Sequence, residues 1–216
     1  AGFKPPQYDD RNSRGNGSYR LGNTFWSRGT IGTNSAKKFS FSANVEARSE
    51  DLGHISYSAT LGFTYAPIDR FSLDLDIGWK KRNEWLIYVG DREFTSFDAV
   101  EIQPNLSMNF FISSKQQLRL RLQWAGIDAD QSQFWTIEKE VGELVPRFKD
   151  LSDPTDDFTV SRLTAQVRYR WEIGPLSDLF LVYTRGSNLS NQVDGEFGPL
   201  FRDAMNEPII DVFTMK

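Results

Sequence analysis

The chain has no cysteine and a single histidine among its 216 residues. Disulfide scaffolds and cysteine-based metal centres are therefore excluded. Long hydrophobic runs are missing as well. The longest, such as residues 85–89, span only a few positions, and a membrane-crossing helix needs about 20. There is no excess of positive charge: 25 Lys and Arg stand against 29 Asp and Glu, a net charge of −4. That balance argues against a nucleic-acid binder. Residues 1–17 are polar and carry no signal-peptide core, so an exported protein would be seen here as a mature form or a fragment. No P-loop, dinucleotide fingerprint, metalloprotease helix or kinase motif set occurs. No helical period of useful length is evident.

What the chain does have is rings. Apolar residues reach only 39%, yet aromatics make up 14%, with 17 Phe, 7 Tyr and 6 Trp. Disordered chains lack aromatics, so this polar chain folds. Its dominant pattern is period-2 alternation, which places successive side chains on opposite faces of a strand. Phe39, Phe41, Ala43, Val45 and Ala47 alternate with polar residues. So do Ile55, Tyr57, Ala59, Leu61, Phe63 and Tyr65, then Phe71, Leu73, Leu75, Ile77 and Trp79. The same pattern recurs at residues 100–112, 117–124 and 162–173, with weaker strands at 18–31, 176–185 and 209–216.

Many of these strands run ten residues or more, where about 5–6 is ordinary and a tilted bilayer-crossing strand needs about 9–11. Short turns at 32–37, 66–70, 113–116 and 174–177 alternate with mostly longer connections at 49–53, 82–95, 127–157 and 186–208. Short turns at one end and long loops at the other are the outer-membrane barrel arrangement. Trp79 and Trp124 near the long loops, and Tyr65, Phe71, Phe110 and Trp171 near the short turns, would form two aromatic girdles. The expected fold is all-β: an antiparallel transmembrane β-barrel, with about nine strands in this chain. Residues 1–216 form one domain, 1–17 being the tail of an outer loop. Bacterial barrels have an even number of strands, so the nine are expected to be part of a larger barrel. The alternative is a soluble sandwich or lipocalin-like barrel, with its apolar face inside and its charged face in water.

An Arg turned to lipid at the midplane costs roughly 2–4 kcal/mol. Asp74, Asp76, Glu101, Arg119, Arg121, Arg168 and Arg170 therefore have to face a wet lumen in the membrane fold. Opposed acidic and basic ladders across a lumen would screen and orient solutes. The plainer role for the same residues is to solvate the inner wall and pair across strands.

The segment DFTVSRLTAQVRYRWEIGPLSDLFLVYTRGSN, residues 157–188, resembles the C-terminal barrel of a family of outer-membrane proteins of unknown function. Members of that family usually begin with a carbohydrate-binding family 9-like β-sandwich. Arg168 to Trp171, Pro175, and Ser177 to Tyr183 match its penultimate hairpin, and SKQQLRLRLQW, residues 114–124, is similar to an earlier one. The resemblance implies a location in the bacterial outer membrane, among lipid and lipopolysaccharide. It implies contact with glycans through an N-terminal domain lying outside this sequence, and protein partners in a surface complex. It carries no catalytic residues over to this chain. The expected role is a membrane anchor or scaffold for a carbohydrate-handling surface protein. A water-filled pore for small polar or sugar-like solutes, or the barrel of a glycan-acting hydrolase, are the alternatives.

Four further features stand out. His54 and Ser56 share one strand face, a base–nucleophile spacing, but no surrounding motif supports catalysis. The connection at 127–157 is acidic, with Asp128, Asp130, Glu138, Glu140, Glu143, Asp150, Asp153, Asp156 and Asp157. It is a candidate for Ca²⁺, although it lacks EF-hand spacing; no other cofactor is expected. Phe134 and Trp135 in the same connection are candidates for stacking on sugar rings. Pro104 removes a ladder donor within a strand, and a bulge or inward kink is expected there.

Overall fold

The computed structural model describes residues 1–148, 155–190 and 195–216. They are all-β apart from one short helix. The chain opens with short strands β1 (Gly2–Lys4), β2 (Gln7–Asp9) and β3 (Ser18–Leu21), then β4 (Thr24–Gly32). Next come β5 (Phe39–Ser49), β6 (Ile55–Ile68), β7 (Phe71–Gly90), β8 (Glu93–Ser113) and β9 (Gln116–Ile137). After β10 (Val141–Gly142) and β11 (Leu144–Arg147) follow β12 (Phe158–Gly174), β13 (Ser177–Ser190), helix α1 (Phe197–Asn206) and β14 (Ile210–Met215).

One large antiparallel sheet runs in the order β1-β4-β5-β6-β7-β8-β9-β12-β13-β14, with β11 folded back on the end of β9. A small second sheet, β10-β3-β2, contains one short parallel pair. The outer strands β1 and β14 are not hydrogen-bonded to each other among the described residues, so the sheet is not closed into a barrel.

The alternation in the sequence sets the register. Leu61, Ile77 and their neighbours line up as Ala43–Leu61–Ile77, then Phe63–Leu75–Leu106–Leu122–Ala165 across successive strands. Apolar side chains meet apolar ones, and polar meet polar, as cross-strand pairing requires. One face is thus continuously apolar over most of its width, and much of it is uncovered. Val45 is 57% exposed, Leu61 39% and Ile77 37%. At the short-turn end, Tyr65, Phe71 and Phe110 form an edge-to-face row with centroids 6.4 and 6.0 Å apart. The face is interrupted at β13–β14, where Arg185 sits opposite Asp211 with Nη1 3.5 Å from the carboxylate.

Six expectations are corrected. The strand expected over 18–31 breaks at Gly22, and β3 leaves the main sheet for the small one. The expected long loop at 82–95 is strand. β7 continues to Gly90, turns at Asp91 and Arg92, and returns as β8. Alternation fails there because Glu84 bulges at φ 55°, and because both faces of the extension are covered. On one face Leu86, Phe94 and Ile137 pack with Tyr19 and Leu21 of the small sheet. On the other, Phe97, Ala99 and Ala129 pack with Trp85 and Phe158. Likewise the first part of the 127–157 connection is strand, since β9 runs on to Ile137.

The absence of helix is corrected by α1. Its Phe197, Leu200, Phe201, Ala204 and Met205 fall at i, i+3, i+4, i+7 and i+8, the spacing of one helix face. That face covers Trp124 and Leu163 on the apolar side of the sheet, so Trp124 is buried under Phe197 and Phe201 rather than standing in a girdle. Finally, Pro104 makes no bulge. It stays in register opposite Ile77, and on the β9 side the ladder skips Gln103 and Pro104 without a shift. Residues 1–17, expected as loop, contribute β1 to the large sheet and β2 to the small one.

Candidate functional site on the polar face

Each strand turns its second set of side chains to the opposite face, and the register arranges them in rows. Asp74 and Asp76 of β7 lie beside Thr64 and Gly62 of β6, and beside Ser107 and Asn105 of β8. Thr64 Oγ1 donates to Asp74 at 2.8 Å. Asp76 lies over Gly62, where an added Cβ would stand 2.8 Å from its carboxylate and 2.5 Å from Ser42 Oγ. A side chain at residue 62 would therefore displace one of them.

Glu101 does not join these acids. It sits further along, opposite Lys80, and is buried. Arg82 Nε donates to it at 2.6 Å, Arg82 Nη1 stands 3.7 Å from Glu50, and the guanidinium lies 4.2 Å above Trp85. Arg82 and Glu50 also line a polar cleft of about 320 Å³, together with residues that include Glu46, Arg48, Ser56, Ser58 and Lys80.

The four arginines come together on strands β9 and β12. Arg119 stands directly opposite Arg168, Gln117 opposite Arg170, and Arg121 opposite Gln166. Arg121 also neighbours Ser107, which separates it from Asp74 by one strand. Asp178 of β13 accepts from Arg170 Nε at 3.0 Å, and Arg168 lies 4.6 Å above the Phe180 ring. The acid and base groups are thus separate patches of one face, not two ladders in contact.

Sequence reasoning missed Arg82, Glu50, Gln117, Asp178 and Phe180. Asp178 and Phe180 could have been found by counting back across the turn at Pro175 and Leu176, which sets them against Glu172 and Arg170. Arg82 could not, because the bulge after it hides its place in the ladder.

Phe134 and Trp135 lie in β9 rather than in a loop. Trp135 packs against the Tyr19–Phe94 cluster, and its indole N–H donates to Ser96 Oγ at 3.1 Å. Phe134 faces Arg147 of β11, whose guanidinium is 5.7 Å from the ring. Only part of that surface is left for a ligand. Ser56 is buried, and its Oγ accepts the Asn83 backbone N–H at 3.0 Å, while His54 is exposed in the preceding loop. No hydrogen bond joins them among the described residues.

Of the acidic segment, Asp128 and Asp130 are in β9. Asp156 accepts from Thr95 Oγ1, and Asp157 from the Gln131 N–H. Asp150 and Asp153 lie outside the described residues. Among the described residues no three His, Asp or Glu side chains converge as a metal site.

A second polar cluster ties the small sheet down. Tyr19 is fully buried, its hydroxyl donates to Asp51 at 3.0 Å, and Asn12 Nδ2 donates to Tyr19, Asp51 and the Leu86 carbonyl. Burial, with the Asp51 charge beside it, raises the Tyr19 phenol above its ordinary value, and burial pushes the Asp51 carboxyl up.

No curated protein and no solved structure matches this sequence. One family model does, over residues 4–216, and its description is a domain of unknown function. On that match, covering nearly the whole chain, the protein belongs to the DUF5916 family.

Proposed function

We propose that this chain is the wall of a bacterial outer-membrane β-barrel that anchors a larger, carbohydrate-handling surface protein. The observation that carries this is the broad apolar face, uncovered at its centre and backed by a polar face rich in charge. A soluble sheet of this width would bury such a face under a second layer. Here α1 covers only its Trp124–Leu163 corner.

The dimensions agree. The apolar band from Phe71 to Trp79 in β7 is matched by Ile102 to Phe110 in β8. Nine residues rise roughly 27 Å along a strand. At the usual tilt of about 40° the band stands about 20 Å tall, near the roughly 25 Å of outer-membrane barrels. In lipid every backbone group must be paired. Among the described residues one side of β14 and the side of β4 beyond Trp26 are unpaired, so in lipid further strands would have to complete the wall. Arg185 on the apolar face is compatible with lipid only because Asp211 neutralises it and it is largely covered.

Lipid and lipopolysaccharide are the partners of the apolar face. Glycans and protein partners would be reached through domains beyond the wall. Leu75→Lys or Leu120→Lys places a charge at mid-band and should abolish the heat-shifted gel band of the assembled full-length protein. Normal assembly of both variants would overturn the membrane facing. Planar-bilayer conductance then separates the roles. Silence from inserted protein supports an anchor, and stable current steps would replace it with a pore.

A further inference from the structure

The arginine patch at the short-turn end of β9 and β12 is built in a way that plain wall solvation does not require. Like charges directly opposite each other on neighbouring strands are destabilising, because their Cβ atoms are only about 4.5–5.5 Å apart. Arg119 and Arg168 nevertheless occupy one such pair, with Arg170 and Arg121 in the rows on either side. Among the described residues, the four guanidinium groups have two carboxylates near them, Asp178 paired with Arg170 and Glu172 acting on the same arginine from the next row. Among the described residues, Arg119, Arg121 and Arg168 form no ion pair. The acids of β7 do not relieve them, since Ser107 of β8 lies between Asp74 and Arg121.

The side chains are also held in place. The Phe180 ring supports the Arg168 guanidinium at 4.6 Å. Asp178 engages the Arg170 Nε and leaves that group's outer edge free. Gln117 is buried beside Asn109, 2.7 Å away; with both carboxamides turned so that the Gln117 oxygen meets donors, that oxygen accepts from Asn109 and from Arg119 Nε at 3.0 Å and Nη2 at 3.1 Å. Between them is a cleft of about 180 Å³ lined by Gln117, Arg119, Arg168, Arg170, Asp178 and Phe180. Several oriented guanidinium forks with a net excess of positive charge match a group offering three oxygens and up to two negative charges. A single carboxylate would leave most of that excess unmet.

We propose that this cleft binds a tetrahedral oxyanion of the phosphate class, free or carried as a monoester on a small polar solute. The site rests on the β9–β12–β13 register and not on the membrane role, so it should bind whether or not the sheet stands in lipid.

The test is calorimetric titration of the full-length protein, purified in detergent, with inorganic phosphate and separately with glucose 6-phosphate. Ionic strength is held constant with chloride. Saturable binding is expected, weakened at least tenfold in Arg119→Gln and Arg168→Gln and unchanged in Arg28→Gln, whose side chain is paired with Glu46 on the same face. Tighter binding of the ester than of phosphate would assign the site to a carried solute, and equal binding to the free anion. Thermal unfolding gives a second readout. Phosphate should raise the melting temperature of the parent and of Arg28→Gln, and raise that of Arg119→Gln by less. Arg168→Lys keeps the charge but loses the fork, and should retain the fold while losing most of the affinity. Absence of saturable binding at millimolar concentrations of both ligands, or equal affinity in parent and Arg119→Gln, would overturn the proposal.

Discussion

Ser161 joins α1 to the sheet through one hydroxyl. It accepts the Trp124 indole N–H at 2.9 Å and donates to the Leu200 carbonyl at 2.7 Å, all three groups being buried. Ser161→Ala leaves a buried donor and a buried acceptor unpaired, at about 1–3 kcal/mol for such a group. Chemical unfolding followed by tryptophan fluorescence should show that loss, and Ser161→Thr should restore part of it.

Asp51 predicts a pH dependence. Its folded carboxyl titrates above the ordinary value of 3.8 because burial disfavours the charge. Between the unfolded and folded values the native state therefore holds more protons than the unfolded state. Stability contributed here is full below the unfolded value and falls as pH rises through the window. Asp51→Asn should flatten that fall, measured as hydrogen exchange of the β3 amides against pH. An unchanged slope would remove Asp51 from the account of what holds the small sheet down.

Neither residue was legible in the sequence. Ser161 reads as one more small residue in an alternating strand, and Asp51 as a loop acid. Their roles come from burial by elements distant in the chain. The seven charges were legible as a shared polar face, but their partners were not, because partners depend on register.

Elements were legible wherever one face is apolar and the other polar. All four short turns lie where alternation put them, and the central parts of β5 to β9 and β12 follow it. The outer halves of β7, β8 and β9 did not show, because strands covered on both faces lose alternation. Helix α1 had the right spacing and was hidden only by its place in a long connection. The hairpin between β12 and β13 makes its own prediction. Pro175 followed by Leu176 at φ 60° has the pattern of a type II turn, which favours glycine at its third position. Leu176 is fully exposed, so Leu176→Gly loses no packing. It should stabilise the hairpin by about 1 kcal/mol, read as slower unfolding of the assembled protein.

For the whole molecule, the apolar face accounts for most of the sheet, and the Arg185–Asp211 pair at its β13–β14 margin tests it. Asp211→Asn leaves the arginine uncompensated on the face assigned to lipid, where such a charge costs roughly 2–4 kcal/mol at the midplane. The yield of heat-shifted protein should fall, and Asp211→Glu should recover it. The unpaired outer edges among the described residues were not legible, since alternation describes faces and does not reveal what pairs with an outer strand.

The absence of cysteine from these 216 residues makes the central claim directly measurable, any cysteine elsewhere in the full-length protein being replaced first. Single cysteines at Leu61, Leu75, Leu106 and Leu120, and at the polar-face neighbours Thr60, Asp76, Ser107 and Arg121, can each carry a fluorophore in the full-length protein assembled in vesicles. Quenching is then compared between brominated lipid and aqueous iodide. A membrane wall predicts strict alternation: lipid quenching at the four leucine positions and iodide quenching at the four polar ones. Iodide reaching both sets equally, or lipid quenching confined to neither face, would contradict it.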